Sequence, residues 1–202
     1  LGMLILGSFM KLFGYFFIKE PFTLNHWKTI LGDPLLARSL KNTIFVGFGA
    51  ATAGMILYAI VSYIVIKTKF VGRKALDFVA WLPWAIPGLV LALGFLWAYV
   101  GGIRLPFTLY GTIWLLMLVF VVKGLPLGVR IMNGSLVQIS NELEESSRVH
   151  GASWVYTFWR IIGPLISPAF IATWVLLFLL VVRDLVTVVL LYTPNSRVIA
   201  IL

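Results

Sequence analysis

The segment from Glu142 to Pro168, ELEESSRVHGASWVYTFWRIIGPLISP, crowds charges of both signs, small residues and two prolines into one interval. Ser140 can cap a helix whose first turn holds Glu142, because a serine oxygen accepts hydrogen bonds from the free N–H groups at a helix start. The pattern predicts two short helices around a glycine turn at Gly151. Small side chains flanked by charges suit docking into a groove of another protein rather than catalysis.

Within the first of these helices, Glu144 and Arg148 stand four residues apart and are expected to pair on the surface. Gly151 is expected to interrupt the helix with backbone angles that other residues avoid. The aromatic residues that follow are expected to tuck against the membrane spans: Trp154, Tyr156, Phe158 and Trp159.

Other charged side chains lie within apolar stretches. Lys123 is a site candidate by default, because a charge in a membrane span is costly. Its expected position near the cytoplasmic end of a span favours snorkelling to the interface instead. Arg183 and Asp184 are expected either to compensate each other or to contribute to an ion pair between helices.

The sequence offers no catalytic set. It has no cysteine, no Walker glycine loop with its lysine, and no Ser/His/Asp arrangement. The two histidines, His26 and His150, are expected on opposite sides of a membrane, where they cannot share a metal ion. No catalytic residue and no metal ligand is therefore assigned.

The composition indicates a membrane protein. Of the 202 residues, 61% are hydrophobic and only 11% are charged, whereas a soluble domain carries about 25% charged residues. A span needs roughly 20 apolar residues in a helix. Four uncharged runs reach or approach that length: Ile44–Ile66, Phe78–Ile103, Leu105–Val122 and Ile161–Val182. The predicted fold is all-α, a polytopic bundle of transmembrane helices truncated at both ends.

Two segments are predicted. Residues 1–38 hold a truncated first transmembrane helix and an extracytoplasmic interfacial segment, and residues 39–202 hold the membrane core. Small residues between Gly47 and Gly54 predict a face for close helix packing. Several residues are candidates for helix breaks or for lining a pathway, because proline removes a backbone donor: Pro83, Pro87, Gly88, Lys123 and Pro126.

The charge distribution gives the orientation only weak support. The net charge is +9, and anionic lipid headgroups are the simplest partner for the basic residues, with no nucleic acid expected. The loop 67–74 is the densest basic loop and is placed in the cytoplasm. With that placement, seven basic residues lie on each side of the membrane, and Arg104 is counted on the side opposite the loop. The total therefore does not decide the orientation.

The spacing from Glu145 onward resembles the EAA loop of type I ABC importer permease subunits, roughly E-A-A-x3-G-x9-I-x-L-P. Both alanines are replaced by serine and the leucine by Gly163. The stretches DFVAWLPWAIPG, YGTIW and VLLYTPNSRV are similar to the ferric iron permeases of this group. The resemblance implies ATPase coupling at these residues: Glu144, Glu145, Ser146, Ser147, Gly151, Ala152, Ile161 and Pro164.

What the resemblance implies is a multi-pass transport subunit in the bacterial cell inner membrane, not an enzyme, with the cytoplasmic coupling loop at about residues 140–168. Its expected partners are ABC ATPase subunits, an extracytoplasmic substrate-binding protein, and a second permease half in the same chain or in a dimer. This chain is expected to bind no cofactor, with ATP and Mg on the partner ATPase. Movement of the loop would switch the spans between inward-facing and outward-facing states.

Other interpretations stay open at this point. Within the family, the expected cargo is ferric iron, with polyamine, thiamine, sulfate or phosphonate as alternatives. Outside the family, an ATPase-free secondary transporter or a membrane scaffold would treat residues 142–168 as an interfacial amphipathic helix. A membrane-embedded enzyme is disfavoured because no acid, base or nucleophile set is found.

Overall fold

The computed structural model describes residues 2–102 and 108–202. Ile103 and Leu105, at which two of the predicted apolar runs meet, and Arg104 lie outside these ranges, as does Leu1. The helices are α1 (Gly2–Ser8), α2 (Asn25–Leu31), α3 (Pro34–Lys67), α4 (Arg73–Ala85), α5 (Gly88–Trp97), α6 (Ile113–Val137), α7 (Asn141–Val149), α8 (Trp154–Thr157), α9 (Gly163–Val182) and α10 (Leu185–Leu191). Single π-helical turns span Ala98–Gly102 and Phe158–Ile162, and a 3-10 turn spans Ile199–Ile201.

Three helices in the described ranges are long and apolar enough to cross a membrane: α3, α6 and the continuous stretch Trp154–Val182. The bent pair α4–α5 makes a fourth if it counts as one span. Large apolar side chains remain exposed along α3 at helical spacing, with Ile44, Phe48, Ile56 and Ile60 all more than half exposed. Such a stripe suits contact with lipid rather than water.

α3 and α6 pack against each other most extensively. The predicted small-residue face is confirmed, because Ala50, Ala51 and Gly54 are buried in α3. Tyr58, which is 1% exposed, lies against α6 where that helix has glycines. A Cβ atom on Gly124 would stand 2.6 Å from the Tyr58 hydroxyl, and one on Gly128 would overlap the Tyr58 ring.

The chain breaks sharply between α4 and α5, which meet at 104°. Pro87 precedes the first residue of α5, and Ile86 has extended backbone angles. Pro83 lies inside α4 and Pro126 inside α6, and both helices continue past these prolines. The break expected from this set of residues therefore lies at Ile86–Pro87, and Pro126 marks no break.

The last predicted span differs from the structure. The expected second short helix after Gly151 is instead the start of a long one, because α8 runs through the π-helical turn into α9. The predicted apolar run Ile161–Val182 ends together with this helix, at Val182. Asp184 then caps the separate helix α10 by accepting a hydrogen bond from the Thr187 N–H at 2.9 Å.

The buried side chains form two clusters along the bundle. We call the end at which α7 lies the coupling end. The coupling-end core includes Met55, Tyr58, Val129, Met132, Ile162 and Leu177. The far-end core includes Val46, Ala92, Leu115, Val119, Val188 and Leu191. The far-end core thus joins α5 and α10 to the first half of α6.

The segment after α10 returns to the start of α3 at the far end. The Asn42 side-chain amide donates to the Arg197 carbonyl at 2.8 Å, and the Thr43 hydroxyl accepts from the Ile199 N–H at 2.8 Å. These bonds satisfy backbone groups in a stretch that has little helix of its own.

Candidate functional site

The coupling segment, residues 140–168, begins with a capped helix. The Ser140 hydroxyl accepts from the Glu142 N–H at 3.1 Å, as expected for a serine N-cap. α7 ends at Val149, and two residues later Gly151 has a φ of +79°, in the left-handed region. The expected glycine turn is therefore confirmed. No atom lies within 4 Å of a Cβ built on Gly151, so backbone conformation rather than crowding favours glycine there.

Glu144 points inward from α7, and the predicted surface pair with Arg148 is wrong. The Glu144 Oε1 lies 3.3 Å from the Lys67 Nζ at the end of α3, and these side chains are 11% and 2% exposed. The Tyr63 hydroxyl donates to Glu144 Oε2 at 3.3 Å. Lys67 also donates to the Ile139 carbonyl at 2.7 Å and so fixes the turn before α7 to α3.

Aromatic side chains attach the start of α8 to the same end of α3. The Trp154 indole N–H donates to the Tyr63 hydroxyl at 2.7 Å. The Phe158 ring stacks on Trp154 and meets Tyr63 edge-on, with centroids 5.5 and 5.8 Å apart. The expected packing against the spans is thus confirmed for Trp154 and Phe158, although Trp154 remains half exposed; Tyr156 and Trp159 are 55% and 71% exposed.

The two arms of the coupling segment, α7 and α8, also contact each other directly. Ser147, which is half-buried, shares a hydrogen bond of 2.8 Å with the hydroxyl of Thr157. Ala152 and Ile161 are half-buried, and Pro164 is exposed in the first turn of α9. Hydrogen bonding, helix capping and aromatic packing together give the segment one defined shape.

One face of α7 has no cover. Glu145 and Ser146 are exposed, and so are the apolar side chains of Leu143 and Val149. Val149 is 84% exposed. An uncovered face that combines an acid with apolar side chains, on a helix held rigidly from behind, is suited to contact with another protein.

A second polar cluster lies where the two helix breaks meet α6. Lys123 forms an ion pair with Asp184 and donates to the Thr187 hydroxyl at 2.8 Å. A Cβ on Gly88 would stand 3.0 Å from the Lys123 Nζ. Lys123 lies ten residues into α6, about 15 Å along the helix axis. Snorkelling is therefore wrong for Lys123, and the ion pair between helices expected for Asp184 is confirmed.

Sequence reasoning missed several residues of these clusters: Tyr63, Lys67, Thr157 and Thr187. Their partners are distant in the chain, so no local period marks them. A weak signal existed for Lys67, since it is the first charge after a long apolar run. Among residues 2–102 and 108–202, no three histidine, aspartate or glutamate side chains are grouped to hold a metal ion.

Comparison with known proteins identifies the family. The profile described as "Binding-protein-dependent transport system inner membrane component" matches residues 50–200. The chain is 29% identical over 200 residues to a ferric transport system permease protein of Actinobacillus pleuropneumoniae, covering 98% of this chain and 28% of that protein. It is 30% identical over 154 residues to a probable sulfate transport system permease protein of Chlorokybus atmophyticus, covering 70% of this chain and 52% of that protein.

A solved bacterial alginate ABC transporter, in complex with a periplasmic protein bound to an alginate pentasaccharide, has a similar fold. The TM-score is 0.75 at 18% identity, over 88% of this chain and 69% of the other. The chain spans less than a third of the length of the ferric relatives. The profile match covers most of the chain, and the helical bundle agrees with it. The chain therefore belongs to the binding-protein-dependent transport system inner membrane components, the permease subunits of ABC importers, which are transport components rather than enzymes.

Proposed function

We propose that this chain forms part of the translocation path of an ATP-driven importer in the cell inner membrane, and that its coupling segment docks on an ABC ATPase. The observation that carries the proposal is the division of α7 into two faces. Glu144 anchors the inner face to Lys67 at 3.3 Å. The outer face presents Glu145 and Val149 without cover.

The anchoring supports a mechanical role for the coupling segment. A push on α7 reaches α3 through Lys67, and it reaches α9 because α8 and α9 are continuous. Rigid helices transmit displacement over long distances when their junctions are well packed. Closure of the ATPase subunits on ATP would then shift both spans. ATP and Mg are bound by the ATPase in this proposal, and this chain contributes no cofactor ligand.

Membership of the family supports two further proposed partners. An extracytoplasmic substrate-binding protein would deliver cargo at the far end of the bundle, and a second permease half, in the same chain or in a dimer, would complete the path. The alginate transporter that shares this fold is in complex with a periplasmic protein. Loop 67–74, with its four basic residues, would lie in the cytoplasm beside the coupling segment.

We propose ferric iron as the cargo. Two ferric transport permeases align over 98% of this chain, whereas the sulfate permease from Chlorokybus atmophyticus aligns over 70%. Sulfate is the second candidate because the identities are nearly equal, at 28–30%. Selection of the cargo by the binding protein is compatible with a permease that holds few ligands of its own.

Cross-linking tests the docking. The chain has no cysteine, so Val149→Cys can be paired with a single cysteine in the groove of the candidate ATPase, after any cysteine elsewhere in the full-length protein is removed. We expect a cross-link whose yield changes with ATP. Lys41→Cys is the matched control, because Lys41 is exposed near the opposite end of α3. Equal yields from the two positions would reject the docking.

Uptake tests the cargo. The full-length permease, its ATPase and its binding protein are reconstituted in proteoliposomes and offered radiolabelled ferric iron or sulfate. ATP-dependent accumulation of iron without sulfate is expected. Accumulation of sulfate alone would reject iron and leave the docking proposal untouched.

A further inference from the structure

Lys123 and Asp184 join two helix breaks near the middle of the bundle. Asp184 lies in the break between α9 and α10, and its carboxylate also accepts from the Thr187 N–H and hydroxyl at 2.9 and 3.1 Å. Gly88 begins α5 directly after the other break and lies against Lys123. One lysine side chain of α6 thus contacts both α5 and α10 at their junction.

The junction also lies at the boundary between the two cores. On α6, the far-end core extends to Phe120 and the coupling-end core resumes at Val129. Lys123 falls between these two residues. α5 and α10 pack closely against each other, and both contribute to the far-end core only. They therefore form a pair of short helices that is connected to α4 and α9 through non-helical breaks.

Two of the ion pairs between helices, those of Lys67 and Lys123, have different surroundings. The Lys67 side chain is 2% exposed, whereas that of Lys123 is 35% exposed. The partner carboxylates are similar, at 11% for Glu144 and 12% for Asp184. A partly exposed charge can be hydrated when its pair separates, provided that it faces a water-filled path, whereas a fully enclosed charge cannot. Of the two pairs, that of Lys123 is the one suited to open and close.

We propose that α5 and α10 move as one unit of the translocation path about the breaks at Ile86–Pro87 and Arg183–Asp184. Lys123 is the positioning residue that holds this unit in the state described here, acting through Asp184. The ion pair separates when the transporter changes state. This inference rests on the proposed transport function, but it assigns a moving part and a latch that the transport function alone does not require.

The first test measures whether the ion pair holds α10 in place. Val188 is 1% exposed in the far-end core, so Val188→Cys in the cysteine-free full-length protein should react slowly with a thiol reagent. Adding Lys123→Met or Asp184→Asn should raise the reaction rate about tenfold, because α10 opens locally more often. Asparagine keeps the helix cap, which separates loss of charge from loss of the cap.

Two further variants separate the loss of the ion pair from the effect of leaving one charge unpaired. The double variant with Lys123→Met and Asp184→Asn should also react about tenfold faster than the parent. It lacks the ion pair, but it leaves neither partner as an unpaired charge. Arg183→Met, an exposed charge beside Asp184, should leave the rate unchanged. A double variant as slow as the parent would overturn the proposal, because stranded charge alone would then explain the single variants.

The second test leaves the ion pair intact. Val188→Cys is labelled in the assembled transporter, with its ATPase and binding protein, before and after addition of ATP and vanadate. The proposal expects faster labelling in the trapped state. Unchanged labelling in a transporter that imports its cargo would overturn it. If the ATPase does not assemble with the chain, the proposed function fails, and the first test still decides whether the pair holds α10.

Discussion

The Lys67 ammonium lies 3.3 Å from the Glu144 carboxylate, and the two side chains are almost completely buried where α3 ends and α7 begins. The residues are 77 positions apart in the chain. Lys67 also donates to the Asn141 side chain at 2.9 Å, so it contacts two residues in the first turn of α7, Asn141 and Glu144. Lys67 therefore fixes the position of α7 on the bundle, beside the contacts that Tyr63 makes with Glu144 and Trp154.

Glu144→Gln should weaken this attachment. The substitution removes one charge and leaves Lys67 buried with only neutral partners, which costs about 3 kcal/mol for a buried pair. We expect a lower melting temperature of the purified protein and weaker co-purification of the ATPase. Glu20→Gln is the control, because Glu20 pairs with Lys11 on the surface with 77% of its side chain exposed. Equal melting temperatures for the two variants would contradict the anchoring role.

Gly151 should tolerate only residues that accept a left-handed backbone. At φ +79°, the left-handed backbone costs a residue with a Cβ about 1–2 kcal/mol of conformational free energy. The cost is larger for a β-branched residue. Gly151→Val should therefore tilt the two arms of the coupling segment and reduce cargo uptake, with the protein still inserted in the membrane. Gly151→Asn should retain most of the uptake, because asparagine is enriched in this region.

The contrast between these two variants is the informative readout. Space is not the reason for any loss, since a Cβ on Gly151 would have no atom within 4 Å. Equal uptake by the valine and asparagine variants would show that the turn conformation is not required for coupling.

The bond between Ser147 and Thr157 should stabilise the coupling segment by a small amount. A neutral hydrogen bond contributes about 1 kcal/mol net, and this one joins α7 to α8 at 2.8 Å. Ser147→Ala and Thr157→Val should each lower the melting temperature, and the double variant should lose less than the sum of the two. Strict additivity of the melting shifts would contradict a direct interaction.

The sequence predicts the spans, the helix break and the turn well, because short-range interactions between neighbouring residues determine them. Long apolar runs predict the spans, and the proline at 87 predicts the break. Gly151 predicts the turn, and Ser140 predicts the start of α7. Each of these features depends on a few adjacent residues, so their types and spacing carry the information.

The partners of charged residues depend on contacts between residues far apart in the chain, so local sequence patterns do not predict them. Glu144 had a plausible local partner in Arg148, but the fold supplies Lys67. Lys123 was expected near a helix end because the predicted span was too short. α6 continues past Pro126 to Val137, and this extension places Lys123 well inside the helix. Neighbouring helices can compensate a proline in a membrane helix, and no local pattern reveals that they do.

The contact of Tyr58 with α6 gives a prediction about helix packing. Gly128→Ala should be strongly destabilising, because the added Cβ would overlap the buried Tyr58 ring. The ring cannot move aside easily, since its hydroxyl donates to the Val121 carbonyl and its side chain is 1% exposed. Overpacking of this kind costs about 1–3 kcal/mol.

Gly134→Ala is the matched control in the same helix, where no atom lies within 4 Å of the added Cβ. That variant should raise stability slightly, because alanine favours a helix over glycine by about 1 kcal/mol. Thermal unfolding of the purified variants measures both effects. Similar melting temperatures for the two would show that α3 and α6 are not held as closely at Tyr58 as their packing indicates.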